Sequence, residues 1–337
     1  MPATLHGITI SSPFRHPVLI RTALHVLSPG GPRARLSVLI FHRVLPAPDP
    51  LNPGDPDAPR FDAILGWLRD WFNVLPLAEA VERLRACDLP PRALAITFDD
   101  GYADNHDIAL PILRRHGLSA TFFIATGFLD GGRMWNDGII EALRRCRLPE
   151  LDLRGLVVKG LDRFALSDTE SRRHAIAGLL PALKYQGLEQ RTALVQTIAE
   201  RAEVVLPNDL MMSTAQLRAL YGAGMGIGAH TVRHPILARL SAADARREIE
   251  DGRATLERLT GKPVQLFAYP NGKPGQDYLP RCVDLVRELG FSAAVTTSPG
   301  AAGHNASAFE LPRFTPWDRT RIRFGARLVS NARSRFA

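Results

Sequence analysis

The stretch AITFDDGYADN, residues 95–105, sets two carboxylates, Asp99 and Asp100, side by side after an apolar run and before Gly101. Like charges at the end of a buried strand repel unless something separates their roles. A divalent cation does so by taking one as a ligand and leaving the other free to accept a proton. Taken alone, Asp-Asp-Gly is also ordinary turn chemistry. A second stretch, GAHTVRHP, shifts the balance, because His230 and His234 stand four residues apart directly after an apolar, glycine-rich strand. On a helical turn this spacing presents both imidazoles on one side. With Asp100 they make three protein ligands that leave a coordination position open, as in catalytic zinc sites. Two histidines that pack or cap independently are the plainer alternative.

The elements that must position these groups alternate along the chain. LSVLIFH (36–42) is a short continuous apolar run of the kind buried in parallel sheets. A proline-rich loop follows, and Asp57 is placed to cap a helix whose apolar face is Phe61, Ile64, Leu65, Leu68 and Phe72. Helix 76–86, strand 93–98, helix 107–117 and strand 119–126 continue a β-α-β pattern. It resumes at 224–230 and runs through helix 241–261, strand 265–270, helix 279–290 and strand 292–297. The alternation predicts an α/β fold with a parallel sheet or barrel covered by helices, whose C-terminal strand ends form the working face. Residues 130–215 read mostly as helix and are expected to be an insertion in one domain. Residues 1–34 form a separate N-terminal segment, 35–325 the main domain and 326–337 a tail.

Composition bounds the rest. The 337 residues are 45% hydrophobic, enough for a large core. The net charge of +8 comes from dispersed arginines such as Arg144, Arg145, Arg172 and Arg173, without the basic run interleaved with aromatics that nucleic-acid binding needs. Nucleic acid is therefore not an expected partner, whereas a phosphate-bearing substrate or an anionic membrane would suit a basic surface. Three scattered cysteines give neither a disulfide framework nor a thiolate zinc site and fit a reducing compartment. HPVLIRTALHVL (16–27) is broken by Arg21 and His25 and is neither a secretory signal nor a membrane span. A core-packing helix is its plainer reading, and an amphipathic helix making peripheral membrane contact is the other. The expected location is cytoplasmic.

TFDDG (97–101), HTVRH (230–234) and FAYPNG (267–272) together resemble, in order, the motifs of the NodB-type polysaccharide deacetylases of carbohydrate esterase family 4. The resemblance spans most of residues 35–320. It implies a distorted (β/α)7 barrel of parallel strands with outer helices, carrying the helical insertion. It implies Asp99 as catalytic base and Asp100, His230 and His234 as ligands of a divalent metal, with zinc the expected ion. The third motif implies a backbone N–H at Tyr269 as oxyanion donor, with Asn271 in the same turn facing substrate.

Two departures matter. The third motif lacks its usual arginine, and the late leucine-x-histidine motif that supplies the general acid is missing near LPRFTPWD (311–318). One branch of the family uses instead a histidine from an early YH strand, and IFHRV places His42 there. Arg313 and Asp318 are candidates to orient Asp99 and His42. Trp135 and Asn136, at the start of the insertion, could bind a sugar by stacking and hydrogen bonding, or the tryptophan could pack beneath the insertion. The activity implied is hydrolysis of an N-acetyl group on a sugar in a polysaccharide or glycolipid precursor. A deformylase or other amidase acting on a lipid-linked amido sugar would need the same groups. A carbohydrate-binding protein without catalysis is the rival of another class.

Overall fold

In the computed structural model, which describes residues 15–156, 162–315 and 318–336, the apolar runs become the strands of one curled sheet. β1 (Leu36–Phe41) and β3 (Ala93–Phe98) are buried at all six positions and pair in parallel along their whole length; the two-residue β2 (Asn73–Val74) also pairs with β3. β4 (Thr121–Ile124) adds to β3. Beyond the small antiparallel hairpin of β5 (Glu150–Asp152) and β6 (Arg163–Ala165), the sheet continues in parallel through β7 (Gly226–Ala229), β8 (Leu266–Ala268) and β9 (Ala293–Val295). β10 (Ala301–Ala302) runs antiparallel to β1, and β11 (Arg335–Phe336) pairs with β10.

The gap between β9 and β1 is filled by residues 311–314. Leu311 bridges to Val295 and Phe314 to Leu39, both in parallel. Phe314 N–H donates to the Val38 carbonyl at 2.7 Å, and Ile40 N–H to the Phe314 carbonyl at 3.1 Å. With this segment β1, β3, β4, β7, β8 and β9 form a ring of seven parallel staves, a distorted (β/α)7 barrel.

Helices α1 (Arg15–Leu27), α2 (Ala58–Trp71), α3 (Leu77–Arg85) and α4 (Leu110–His116) cover the first strands. α2 starts where Asp57 accepts from Arg60 N–H at 2.9 Å, and it buries Phe61, Ile64, Leu65, Leu68 and Trp71. Phe41, Phe98 and Phe122 stack across β1, β3 and β4 with centroids 5.3 and 4.8 Å apart, and Phe61 meets two of them edge-on. Side chains alternate along a strand, so anchoring Phe98 against the helices turns Thr97 and Asp99 inward.

The insertion holds α5 (Trp135–Arg145), α6 (Thr169–Lys184) and α7 (Leu188–Arg201) around their own apolar core, which includes Ile139, Leu143, Leu179 and Ile198. Its hairpin, β5 with β6, interrupts a stretch that the sequence reads as helix. α8 (Thr214–Gly222) then leads to β7; α9 (Ala242–Thr260) and α10 (Pro280–Glu288) cover the later strands.

α11 (Arg321–Arg333) corrects the expected tail: Phe324 and Leu328 are buried, and the boundary at 325 falls inside the helix. α1 packs against α11, with Ile20 lying against Gly325, and Leu24 is buried while Val18, Leu19 and Val26 remain exposed. Residues 1–14 of the N-terminal segment lie outside the described residues. Among the described residues no helix is long and apolar enough to cross a membrane.

α9 presses on the loop that carries the two histidines. A Cβ at Gly252 would stand 2.9 Å from the Thr231 carbonyl carbon and 3.0 Å from its oxygen. Gly252→Ala should therefore destabilise the protein by about 1–3 kcal/mol, against the gain of about 1 kcal/mol usual for this change inside a helix. Urea unfolding decides it, and a stabilised variant would show that α9 does not hold this loop.

Candidate active site

Asp99 and Asp100 leave the end of β3 in different directions because the backbone turns between them. Asp100 has φ +77° and Gly101 +92°, the left-handed region that short polar residues and glycine tolerate best. Asp99 points into the barrel, 3% exposed, and Arg313 from the closing segment grips it through two nitrogens at 2.7 Å each. Arg313 is itself 1% exposed and is fixed by the Thr296 carbonyl at 2.7 Å and Thr97 Oγ1 at 3.2 Å. Burial works to raise the pKa of Asp99, but the charge and hydrogen bonds of Arg313, with His230 and His42, hold its carboxyl below the usual range.

Asp100 faces the histidines. Its Oδ1 lies 3.4 Å from His230 Nε2 and 3.5 Å from His234 Nε2, and the three ligand atoms fall within 4.8 Å of one another. Burial opposes the ionisation of Asp100, yet the imidazoles of His230, His234 and His42 around it hold it well below the usual carboxylate range. Burial lowers His230 too, but Asp99 and Asp100 outweigh it and leave that imidazole raised. His234 is pushed down to about 3 by burial and is neutral at physiological pH. His230 Nδ1 sits 2.7 Å from the Ala268 carbonyl, to which it donates when Nε2 is the free lone pair. The buried Asp100 Oδ1 is without a hydrogen-bond partner among the described residues. An orphaned carboxylate oxygen facing two imidazole nitrogens, all buried, is a donor set that fits a divalent cation.

The loop of residues 230–234 is not the helical turn its spacing suggests. Thr231 at φ +66° and His234 at +53° fold it into a tight bend that brings the rings to 4.8 Å between centroids. Glu248 of α9 holds that bend, accepting from Val232 and Arg233 N–H at 3.0 and 2.8 Å and from Arg233 Nε at 2.8 Å. Glu248 was legible in principle as an acid on the buried stripe Ala245, Ile249, Gly252, Leu256.

His42 stands one residue past β1. Asp99 N–H donates to Phe41 O at 2.9 Å, so the ladder continues to the strand ends and His42 leaves the sheet beside the carboxylates. Its ring is exposed, its carbonyl is held by Asn105 at 2.9 Å, and its charge acts on Asp99, Asp100 and Asp55. Two acids near this side carry no role in the sequence reading. Asp137 is pushed up to about 7 by burial despite Arg43 and a hydrogen bond with Tyr102; Asp55 is pushed up to about 6 in the same way.

Three sequence expectations are corrected or narrowed. Asp318 does not join Asp99 or His42; its carboxylate pairs with Arg327 at 2.9 Å, because α11 carries that arginine back over it. Tyr269 has no free donor: its N–H is taken by the Val295 carbonyl at 3.3 Å and its hydroxyl by the Phe309 carbonyl at 3.0 Å. Pro270 has no N–H, so the first backbone donor after β8 without an acceptor among the described residues is Asn271, at φ +60°. Trp135 and Asn136 are half-buried at the start of α5, and one face of the indole is covered by the Arg191 guanidinium, 4.9 Å from the ring centroid.

The sequence pattern of the polysaccharide deacetylase family matches residues 87–146 and 168–294, more than half the chain, and the chain belongs to that family. The Bacillus subtilis (strain 168) protein YxkH is 20% identical over 282 residues, covering 83% of this chain and 71% of its own. The structure of the Streptococcus pyogenes deacetylase PplD aligns with 89% of this chain and 98% of its own, at 17% identity and TM-score 0.58. IcaB from Ammonifex degensii aligns with 91% and 99%, at 19% identity and TM-score 0.56. At these identities the two structures establish a shared fold.

The Arg313–Asp99 pair makes a pH-dependent prediction. A carboxyl depressed in the folded state stabilises it fully above its unfolded value, about 3.9, and that stability fades as pH falls through the folded value. Arg313→Met strands a buried charge and should destabilise by about 3–5 kcal/mol at pH 7. The deficit relative to wild type should shrink on acidification as Asp99 takes a proton, and adding Asp99→Asn should recover much of it. Denaturation at pH 7, 5.5 and 4 tests this; a deficit that does not change with pH would show that Arg313 acts by packing alone.

Proposed function

From membership of this family, we propose that the chain is a divalent-metal-dependent hydrolase that removes an N-acetyl group from a sugar in a polysaccharide or glycolipid precursor. The observation that carries the reading is the division of labour at the end of β3. Asp100 converges with His230 and His234 into a buried donor set, while its neighbour Asp99 is neutralised separately by Arg313.

Asp100, His230 and His234 would hold the ion, and the mixed nitrogen and oxygen donors make zinc the first ion to test. When bound, a divalent ion supplies Lewis-acid polarisation of the acyl carbonyl and lowers the pKa of water in the site. His230 contributes Nε2 with its tautomer set by the Ala268 carbonyl, and His234 contributes a neutral imidazole. Asp99 takes the proton of the attacking water. The bidentate grip of Arg313 keeps it ionised and fixes its orientation, which a base needs before its strength matters. Asn271 N–H is the protein donor for the oxyanion that forms at the former carbonyl. His42, at the rim, protonates the amine nitrogen as the C–N bond breaks, so both hydrolysis products leave with their protons accounted for.

Asp99→Asn should retain the divalent ion and lose at least about a hundredfold in turnover, because the amide keeps the shape of the carboxylate and cannot accept the proton. Metal analysis beside acetate release from an N-acetylglucosamine oligomer checks both halves; turnover within about tenfold of wild type would move the base elsewhere.

His42→Ala should leave metal content unchanged, cut turnover by about a hundredfold and flatten the alkaline limb of the pH–rate profile. An unchanged alkaline limb in this variant would assign the proton donor to another group, with Asp137 the next to examine.

A further inference from the structure

One buried charge beside the site has no part in the reaction above. Arg191, on α7, is 3% exposed and has no ion-pair partner among the described residues. One Nη donates to the Lys184 carbonyl at 3.1 Å, the guanidinium lies over Trp135, and Nε is buried without a hydrogen-bond partner among the described residues. Burial draws its pKa down to about 10, which leaves it charged at neutral pH. A desolvated cation without a counter-ion works against folding, and an apolar side chain would pack the insertion better.

Arg191 lines a cavity of about 400 Å3 whose wall also carries His234, Phe128, Trp135 and Arg133. Arg133 gives one Nη to the Pro207 carbonyl at 2.9 Å and likewise has no ion pair among the described residues. The one acid on the wall, Glu189, is engaged by Arg233 at 3.0 Å, which Glu248 also neutralises. The cavity thus opens beside His234 with two guanidiniums uncompensated, one of them buried with an unused donor. A planar guanidinium with free N–H groups matches the oxygens of a phosphate or carboxylate.

We propose that this cavity is a subsite for an anionic group, a phosphate or a carboxylate, borne by the substrate on or next to the sugar whose amide is cleaved. The inference rests on the deacetylase reading and deepens it. The substrate class becomes an N-acylated sugar carrying an oxyanion, and the neutral homopolymer is the poorer ligand. Arg191 acts in binding this group, and the indole beneath it keeps the guanidinium plane fixed.

The test is calorimetric binding to the full-length protein in the presence of a chelator, so that phosphate cannot report on a bound ion. The probes are N-acetylglucosamine, N-acetylglucosamine 1-phosphate and N-acetylglucosaminuronate; the two anionic arms distinguish phosphate from carboxylate. At least one should bind about tenfold or more tightly than the neutral sugar. Arg191→Met should abolish the preference while unfolding at the same or a higher temperature than wild type, because it removes an unpaired buried cation. Equal affinity of wild type for charged and neutral probes, or a preference that survives in Arg191→Met, would overturn the subsite. Should that variant fail to fold, the wild-type preference and protection of its melting temperature by inorganic phosphate decide the matter, their joint absence counting against the subsite. Acetate release from a neutral oligomer is scored separately. Release without anion preference sinks the subsite and leaves the deacetylase reading standing, whereas anion preference without release from any probe supports the subsite and sinks the reaction.

Discussion

Two carboxylates that adjoin in sequence and are both buried can stay ionised together only if each has its own source of positive charge. Were Asp99 and Asp100 to share one, repulsion would force a proton onto one of them. The barrel meets this constraint from two sides. Residues 311–314 bring Arg313 to Asp99, and the loop after β7 brings two imidazoles to Asp100. The left-handed backbone of Asp100 makes the separation possible, since an extended strand would send the two side chains to opposite faces of the sheet and bury one among the phenylalanines. The proposed split between base and ligand is thus a consequence of how two like charges are kept apart.

The same corner of the molecule holds an unusual share of its backbone strain. Of the eight non-glycine residues with positive φ among the described residues, Asp100, Thr231, His234 and Asn271 stand at the ends of β3, β7 and β8, facing one site. Such conformations persist only where the surroundings impose them. Here Glu248 ties down the bend between the histidines, the Ala268 carbonyl receives His230, and the Asn271 carbonyl accepts from Thr297 at 2.8 Å. Each support comes from a neighbouring stave or its covering helix.

How much of this the sequence displays depends on distance along the chain. The apolar runs at 36–42, 93–98 and 119–126 are local signals, and each became a buried strand. The types and spacing in TFDDG and HTVRH are local as well, and they identified the groups that converge, although the convergence is made by a bend with two left-handed residues and not by a helix. Arg313 and Asp318 looked equivalent, five residues apart on the same late stretch. Only the register of residues 311–314 between β9 and β1 distinguishes them, and that register joins positions 214 residues apart. Tyr269 was assigned a free N–H that the pairing with Val295 consumes, again a fact of the closed sheet. The hairpin of β5 and β6 was hidden because three-residue strands leave no periodicity to read. Arg191 reads as one more helix-surface arginine, and only the packing of α5 against α7 turns it inward.

Placing the partner of Asp99 on the closing segment couples two features that could have been independent. Residues 311–314 complete the ring, so Arg313 reaches Asp99 only when β9, the closing segment and β1 are in register. In the closed barrel burial works against the ionised form of Asp99, and Arg313 offsets it. The pairing that keeps the proposed base ionised therefore depends on the docking of the last stave. The attraction between Arg313 and Asp99 in turn helps to hold that stave, beside the backbone hydrogen bonds that Leu311 donates to Ala294, Arg313 to Ser298 and Phe314 to Val38. Barrel closure and the support of the base are thus coupled, because the segment that supplies the seventh stave also supplies the guanidinium that a buried, ionised Asp99 requires.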